Sequence, residues 1–218
     1  MGAFLVNTLL PSMCRHCGRV VGGGEWEPLL CAACGNEFPF HDAAIPELLP
    51  VSQAHALATF DGPARRLLID LKYDGLLRAG RAIGSRMADA PGARALLDDA
   101  RILVPVPLHW SRRWWRGHNQ AAVLARGVRR RRPHLPVCEA LRRTRRTPAQ
   151  VGFERERRLR NVSGAFRLRP RHRDAVRGRV VVLVDDVVTT GATAAAAAAA
   201  LIEGGAREVR LYVAAWAR

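Results

Sequence analysis

Lysine is almost missing from this chain of 218 residues: of 35 basic residues only Lys72 is one, and the rest are arginines. A GC-rich coding background produces such a bias without any function behind it. Long apolar runs are also missing. None reaches the roughly 18 residues that span a bilayer, so membrane insertion is not expected. The first ten residues are mildly apolar but carry no basic segment ahead of them, so no signal peptide is expected and the reading is cytoplasmic. Acids are scarce in one region. Between Arg112 and Arg179 there are 22 arginines against four acids, a surplus of 18 in a chain whose net charge is +16. The basic character therefore belongs to the middle of the chain, where its field attracts polyanions: phosphorylated sugars, nucleotides or nucleic acid.

What is present suits one medium domain with a small appendage. Hydrophobic residues make up 49%, enough for a substantial core. The five cysteines are not scattered. Cys14 and Cys17 form one Cys-x-x-Cys knuckle, Cys31 and Cys34 a second, and Cys138 stands apart with no catalytic partner beside it. Two knuckles at this spacing read as a four-thiolate structural zinc site. Disulfides do not suit a reducing compartment, and a redox Cys-x-x-Cys normally occurs once. Residues 1–45 are too few to build a core alone, so metal would supply their folding energy. His16 is read as solvent-facing. Residues 54–218 are read as the main domain.

Strand and helix patterns alternate through that domain, which predicts an α/β fold with a parallel sheet flanked by helices. Residues 38–53, with three prolines, read as a linker or loose helix. Strands are expected over 54–60, 102–107, 164–168, 180–184 and 208–214. Helices are expected over 64–72, 76–90, 119–132 and 192–203, with Gly75 and Gly204-Gly205 as stops. The stretch 141–159 is polar and arginine-rich with no core pattern, which reads as a lid, a binding loop or disorder. The alanine run 194–200 reads as a packed helix.

One segment carries the chemistry. Val180 to Val184 is apolar, Asp185 and Asp186 follow, and Thr189-Thr190-Gly191-Ala192-Thr193 leads into the alanine helix. In an open parallel sheet, ligands bind at the carboxyl ends of strands. A small-residue turn at a helix N-terminus presents free N–H groups and a favourable dipole to a phosphate. Adjacent carboxylates accept hydrogen bonds from vicinal hydroxyls. Together they suit a ribose 5-phosphate.

This segment resembles the phosphoribosyl-pyrophosphate (PRPP) motif of type I phosphoribosyltransferases. With the two knuckles, Leu71-Lys72-Tyr73-Asp74-Gly75, Val104-Pro105-Val106-Pro107-Leu108, Arg116-Gly117-His118-Asn119-Gln120, Arg143, Arg157 and Arg160-Asn161-Val162-Ser163-Gly164, the chain resembles the ComF family along nearly its whole length. It departs at His118, where that family commonly has an aromatic residue. The resemblance implies a type I phosphoribosyltransferase fold with an N-terminal zinc ribbon. It implies displacement of pyrophosphate at C1 of the ribose, with Mg²⁺ and basic side chains on the leaving group and a lid excluding water. Asp185 and Asp186 would hold the ribose hydroxyls, and Thr189 to Thr193 the 5-phosphate. Arg112, Arg113 and Arg116 would meet pyrophosphate, and Arg143, Arg157 and Arg160 would come from the lid. Each of these arginines reads equally as a solvated surface charge. Lys72 reads equally as a ligand and as a helix-terminal cap. Partners implied are PRPP, single-stranded DNA through natural transformation, and a competence helicase-type protein. The expectation is an active transferase. The alternatives are a non-catalytic DNA-handling protein or a PRPP-sensing regulator.

Overall fold

The structure, a computed structural model, describes residues 12–22, 26–46, 48–108, 117–144 and 164–217. Arg112, Arg113, Arg116, Arg157 and Arg160 lie outside them. In chain order the elements are α1 (Ala32–Asn36), β1 (Phe40–Ala44), β2 (Gln53–Thr59), α2 (Gly62–Tyr73), α3 (Leu77–Asp89), α4 (Ala93–Leu97), β3 (Ile102–Pro105), α5 (Gln120–Arg131), β4 (Leu141–Arg143), β5 (Phe166–Leu168), α6 (Arg173–Val176), β6 (Val180–Val188), α7 (Ala192–Glu203) and β7 (Glu208–Trp216).

Five strands make one sheet in the order β1-β2-β7-β6-β3. β2, β7, β6 and β3 run parallel, and β1 is antiparallel to β2 at the edge. Helices cover both faces. Val180, Val182 and Val184 of β6 belong to the core layer shared with α2 to α5, whereas Val181 and Leu183 belong to the layer under α7. A strand buried on both faces reads as an unbroken apolar run rather than an alternating one. Alanine dominates the inner face of α7, where Ala194, Ala197 and Ala198 are buried, and small side chains bring that helix close to the sheet.

Four differences from the expected elements stand out. Leu141–Arg143, at the start of the stretch read as a lid, is a strand antiparallel to Phe166–Leu168 in a separate two-stranded sheet, with Leu141 and Phe166 buried. Residues 40–44 are a strand, not a linker or loose helix, because the edge of β2 offers a ladder partner that local composition does not reveal. The helix α4 follows Pro91-Gly92 at once. And β6 does not end at Val184: it continues through both acids to Val188, paired along its length with β7.

α3 and α5 pack through glycine. A Cβ on Gly84 would strike the Leu124 carbonyl oxygen, and one on Gly127 would meet the Arg81 carbonyl oxygen at 2.6 Å. The backbones therefore approach more closely than any side chain allows. Gly84→Ala overpacks this contact and is expected to cost about 1–3 kcal/mol. A melt should show this as a drop of roughly 2–4 °C per kcal/mol for a chain of this size.

Candidate functional site

β3, at the edge, is shorter than its neighbour β6, and this creates the site. It stops at Pro105, opposite Val184. Beyond that point β6 keeps a ladder partner in β7, with Asp185 opposite Val213 and Val187 opposite Ala215. The space left open is a cavity of about 160 Å³ lined by Val106, Pro107 and Leu108 after β3, by Asp185 to Thr193, and by Lys72 and Arg143. Nine residues singled out from the sequence are brought together here: Lys72, Arg143, Asp185, Asp186, Thr189, Thr190, Gly191, Ala192 and Thr193.

The two acids lie side by side at the cavity. Asp186 Oδ2 is 3.6 Å from Lys72 Nζ. Asp185 lies beside it. Its Oδ1 accepts from the Asp186 N–H at 2.9 Å, and Asp186 Oδ1 accepts from the Val187 N–H at 2.8 Å. Burial, and then the neighbouring Asp186 charge, push the Asp185 carboxyl well above the usual range. Two adjacent carboxylates in a poorly hydrated site resist losing both protons. Bound hydroxyls or a cation would relieve that tension.

The turn after β6 supplies the opposite chemistry. Gly191 is left-handed, at φ 76°, and forms the N-cap of α7 without any side-chain cap. A Cβ there would press on the Leu48 side chain, which lies over the glycine. The first N–H groups of a twelve-residue helix are thus not capped by a side chain, and their dipole faces the cavity. Arg143 comes from β4, with its guanidinium 5.3 Å from the centre of the Phe166 ring.

Two side chains of the block Arg116 to Gln120 complete the frame. Asn119 caps α5 by accepting from the Ala121 N–H, and donates to the Val106 carbonyl at 3.0 Å. It thereby ties the end of β3 to the helix. His118, at the family's aromatic position, lies with Nε2 2.7 Å from the Leu71 carbonyl, so a polar contact to α2 stands where an aromatic residue is usual. The sequence marks both residues, but no fixed spacing links them to Val106 and Leu71, so their contacts come from the fold.

The four knuckle thiols form the second cluster. Their Sγ atoms all lie within 4.8 Å of one another, and Cys17 and Cys31 are 3.7 Å apart. A tetrahedral Zn²⁺ with Zn–S bonds of about 2.3 Å needs sulfurs about 3.8 Å apart, so the donor set fits zinc. Burial works against a thiolate at Cys14, but the backbone N–H groups of Cys17, Cys31 and His16 outweigh it and bring the thiol down to about 6. Burial and the other three cysteines push Cys34 up. Metal binding would therefore release protons. His16 is exposed, as expected. Cys138 is half-buried with its thiol pushed up by burial.

The strain at Asp185 makes a prediction. Its folded pKa is raised, so the folded chain holds a proton that the unfolded chain has already lost. Stability then falls as pH rises from about 4 through the folded pKa. Asp185→Asn keeps the Oδ1 acceptor and removes the titration. Its melting temperature should exceed the wild type's by a few degrees at pH 7–8, roughly 2–4 °C per kcal/mol, with the gap closing towards pH 4. A gap independent of pH would contradict this reading.

Comparison with known proteins adds identity. Residues 116–218 match the family described as "Phosphoribosyl transferase domain". The chain is 28% identical over 225 residues to the DNA utilization protein YhgH of Escherichia coli K12, covering 93% of this chain and 96% of that protein. The Shigella flexneri protein of the same name matches to the same extent. Among solved structures, the glutamine phosphoribosylpyrophosphate amidotransferase from B. subtilis is similar at 21% identity and TM-score 0.43, over 63% of this chain and 26% of that one. The match to a phosphoribosyl transferase domain, the near-full-length similarity to the DNA utilization proteins and the N-terminal four-cysteine cluster together fit a ComF-like family.

Proposed function

We propose that the cavity at the end of β6 binds PRPP with Mg²⁺ and that the protein transfers the phosphoribosyl group to an acceptor, releasing pyrophosphate. The observation that carries this is the convergence of an acid pair, two cations and an uncapped helix N-terminus on one cavity. The N–H groups and hydroxyls of Thr189 to Thr193 receive the 5-phosphate. The Asp185 and Asp186 carboxyls accept from the ribose hydroxyls. Lys72 and Arg143 set positive charge beside the leaving pyrophosphate as the C1–O bond breaks and takes its electron pair with it. Mg²⁺, which favours one or two carboxylates together with substrate phosphate oxygens, would neutralise charge on the departing group; the acid pair fits it. Residues 1–45 serve in this reading as a zinc-dependent module on a transferase domain spanning 54–218. The setting is cytoplasmic.

A second reading, single-stranded DNA handling, is favoured by a groove between α3 and α5. It has a volume of about 590 Å³ and is lined by Arg78, Arg81, Arg86, Arg130 and Arg131, with Ser85 and Asp89. Asp89 accepts from Arg131 at 2.9 and 3.1 Å. Arg78, Arg81 and Arg130 have no ion-pair partner among the described residues. The close glycine contact brings the two basic rows together, and a phosphate backbone is a natural occupant. A helicase-type partner would belong to this reading. PRPP binding and DNA handling are compatible on one molecule.

Two experiments check these readings. Titration of PRPP with Mg²⁺ should give saturable binding that an Asp185→Ala/Asp186→Ala variant weakens by at least a hundredfold, with pyrophosphate released on addition of the right base or amine. Binding unchanged in the variant would overturn the assignment. Replacing Arg78, Arg81 and Arg130 by glutamine should shallow the log K against log salt slope for single-stranded DNA by about 2, at about 0.7 for each phosphate no longer neutralised. An unchanged slope would exclude the groove.

A further inference from the structure

The Cys14–Cys17 knuckle holds more than a metal. Arg15, inside it, reaches onto α2. Its Nε donates to Asp70 Oδ2 at 2.7 Å, and its Nη2 to Asp74 Oδ2 at 3.3 Å. Asp70 is fully buried, and its other ion-pair partner is Arg66 on its own helix, at 2.9 Å. A buried carboxylate that loses a partner is strongly destabilised, so this contact is not an ordinary surface ion pair. Asp70 and Asp74, four apart, share one face of α2, and Lys72 lies about 200° around the helix from Asp70. That opposite side is where Lys72 meets Asp186. The backbone is tied at the same place: the Asp70 carbonyl accepts from the Asp74 and Leu76 N–H groups around the left-handed Gly75. The last turn of α2 is therefore clamped between the thiolate knuckle on one side and the acid pair on the other.

The knuckle's position is itself set by its metal ligands. The Arg15 N–H donates to the Leu29 carbonyl at 2.9 Å, which joins the first knuckle to the approach to the second. Cys14, Cys31, Cys34, Trp26, Leu29 and Leu30 merge with the core layer that contains Leu67, Leu68 and Leu71 of α2. Trp26 stacks on Phe38 with ring centres 4.4 Å apart, and the Arg86 guanidinium of α3 lies over it at 5.3 Å. The knuckle is thus packed against the helices that frame the site.

We infer that the thiolate knuckle, through Arg15, positions Lys72 over the acid pair, so that metal occupancy at the four cysteines sets the affinity of the PRPP site. Arg15 is a positioning residue: it touches neither the metal nor the substrate. The part concerning affinity rests on the PRPP reading proposed above. The clamp itself does not.

The test compares zinc-loaded wild type, Arg15→Gln and Arg15→Lys, with zinc content, PRPP titration and amide hydrogen exchange measured on each. Arg15→Gln should keep its zinc, weaken PRPP at least tenfold, and raise exchange selectively at the amides of 71–76. Arg15→Lys, which restores one charged contact, should recover part of both effects. Stripping zinc from the wild type with a chelator should raise the same exchange signal. Should Arg15→Gln fail to fold, Asp74→Asn removes the outer contact alone and should move both readouts in the same direction by a smaller amount. Wild-type PRPP affinity in Arg15→Gln, or unchanged exchange at 71–76 in that variant, would overturn the inference. If the wild type does not bind PRPP at all, the PRPP reading fails and the exchange measurement alone decides the clamp: selective opening at 71–76 upholds it, and none refutes it.

Discussion

An early-ending strand controls the architecture of this protein. β3 gives out opposite Val184, one residue before the first acid. Had it continued, its side chains and backbone would fill the space in which Asp185, Asp186 and the Thr-Thr-Gly turn meet. The Val106 N–H still donates to the Val184 carbonyl at 2.9 Å, and the chain then runs past the acids as Pro107 and Leu108, which line the cavity. β7 continues on the other side and holds the acids in extended geometry while their far edge opens to the cavity. The acids sit on a strand and Ala192 and Thr193 on a helix start, which fixes them more closely than free loops would.

Two kinds of tension are concentrated there. Burial and the neighbouring Asp186 push the Asp185 carboxyl well above the usual carboxylate range, and Gly191 is left-handed under Leu48. Neither arrangement favours folding by itself. Both become useful when something anionic with vicinal hydroxyls, accompanied by a cation, occupies the cavity. Sites of function are where local rules give way, and the remainder of the sheet, apolar on both faces, supplies the stability that tolerates it.

Much of this was legible in the residues. The parallel sheet, four of its helices, the turn before the alanine helix and the two cysteine knuckles all follow from periodicity, small-residue punctuation and ligand spacing. Less was legible wherever a partner is distant in sequence. The strand at Phe40–Ala44 exists because β2 has an edge, and the extension of β6 to Val188 exists because β7 accompanies it. Arg15 and Asp70 are 55 residues apart, and the basic groove forms only because glycines let α3 and α5 close. The arginine surplus lies in 112–179, yet three of the five groove arginines, Arg78, Arg81 and Arg86, come from α3. Composition locates charge along a chain, whereas a groove is assembled by packing.

The ligand's position is the most direct test of this account. A crystal structure of the zinc-loaded protein with PRPP and Mg²⁺ should show the 5-phosphate on the backbone N–H groups of residues 189–193 and the ribose hydroxyls on Asp185 and Asp186. The pyrophosphate should lie towards Lys72 and Arg143. Density for the ligand elsewhere, or a 5-phosphate away from the N-terminus of α7, would contradict it.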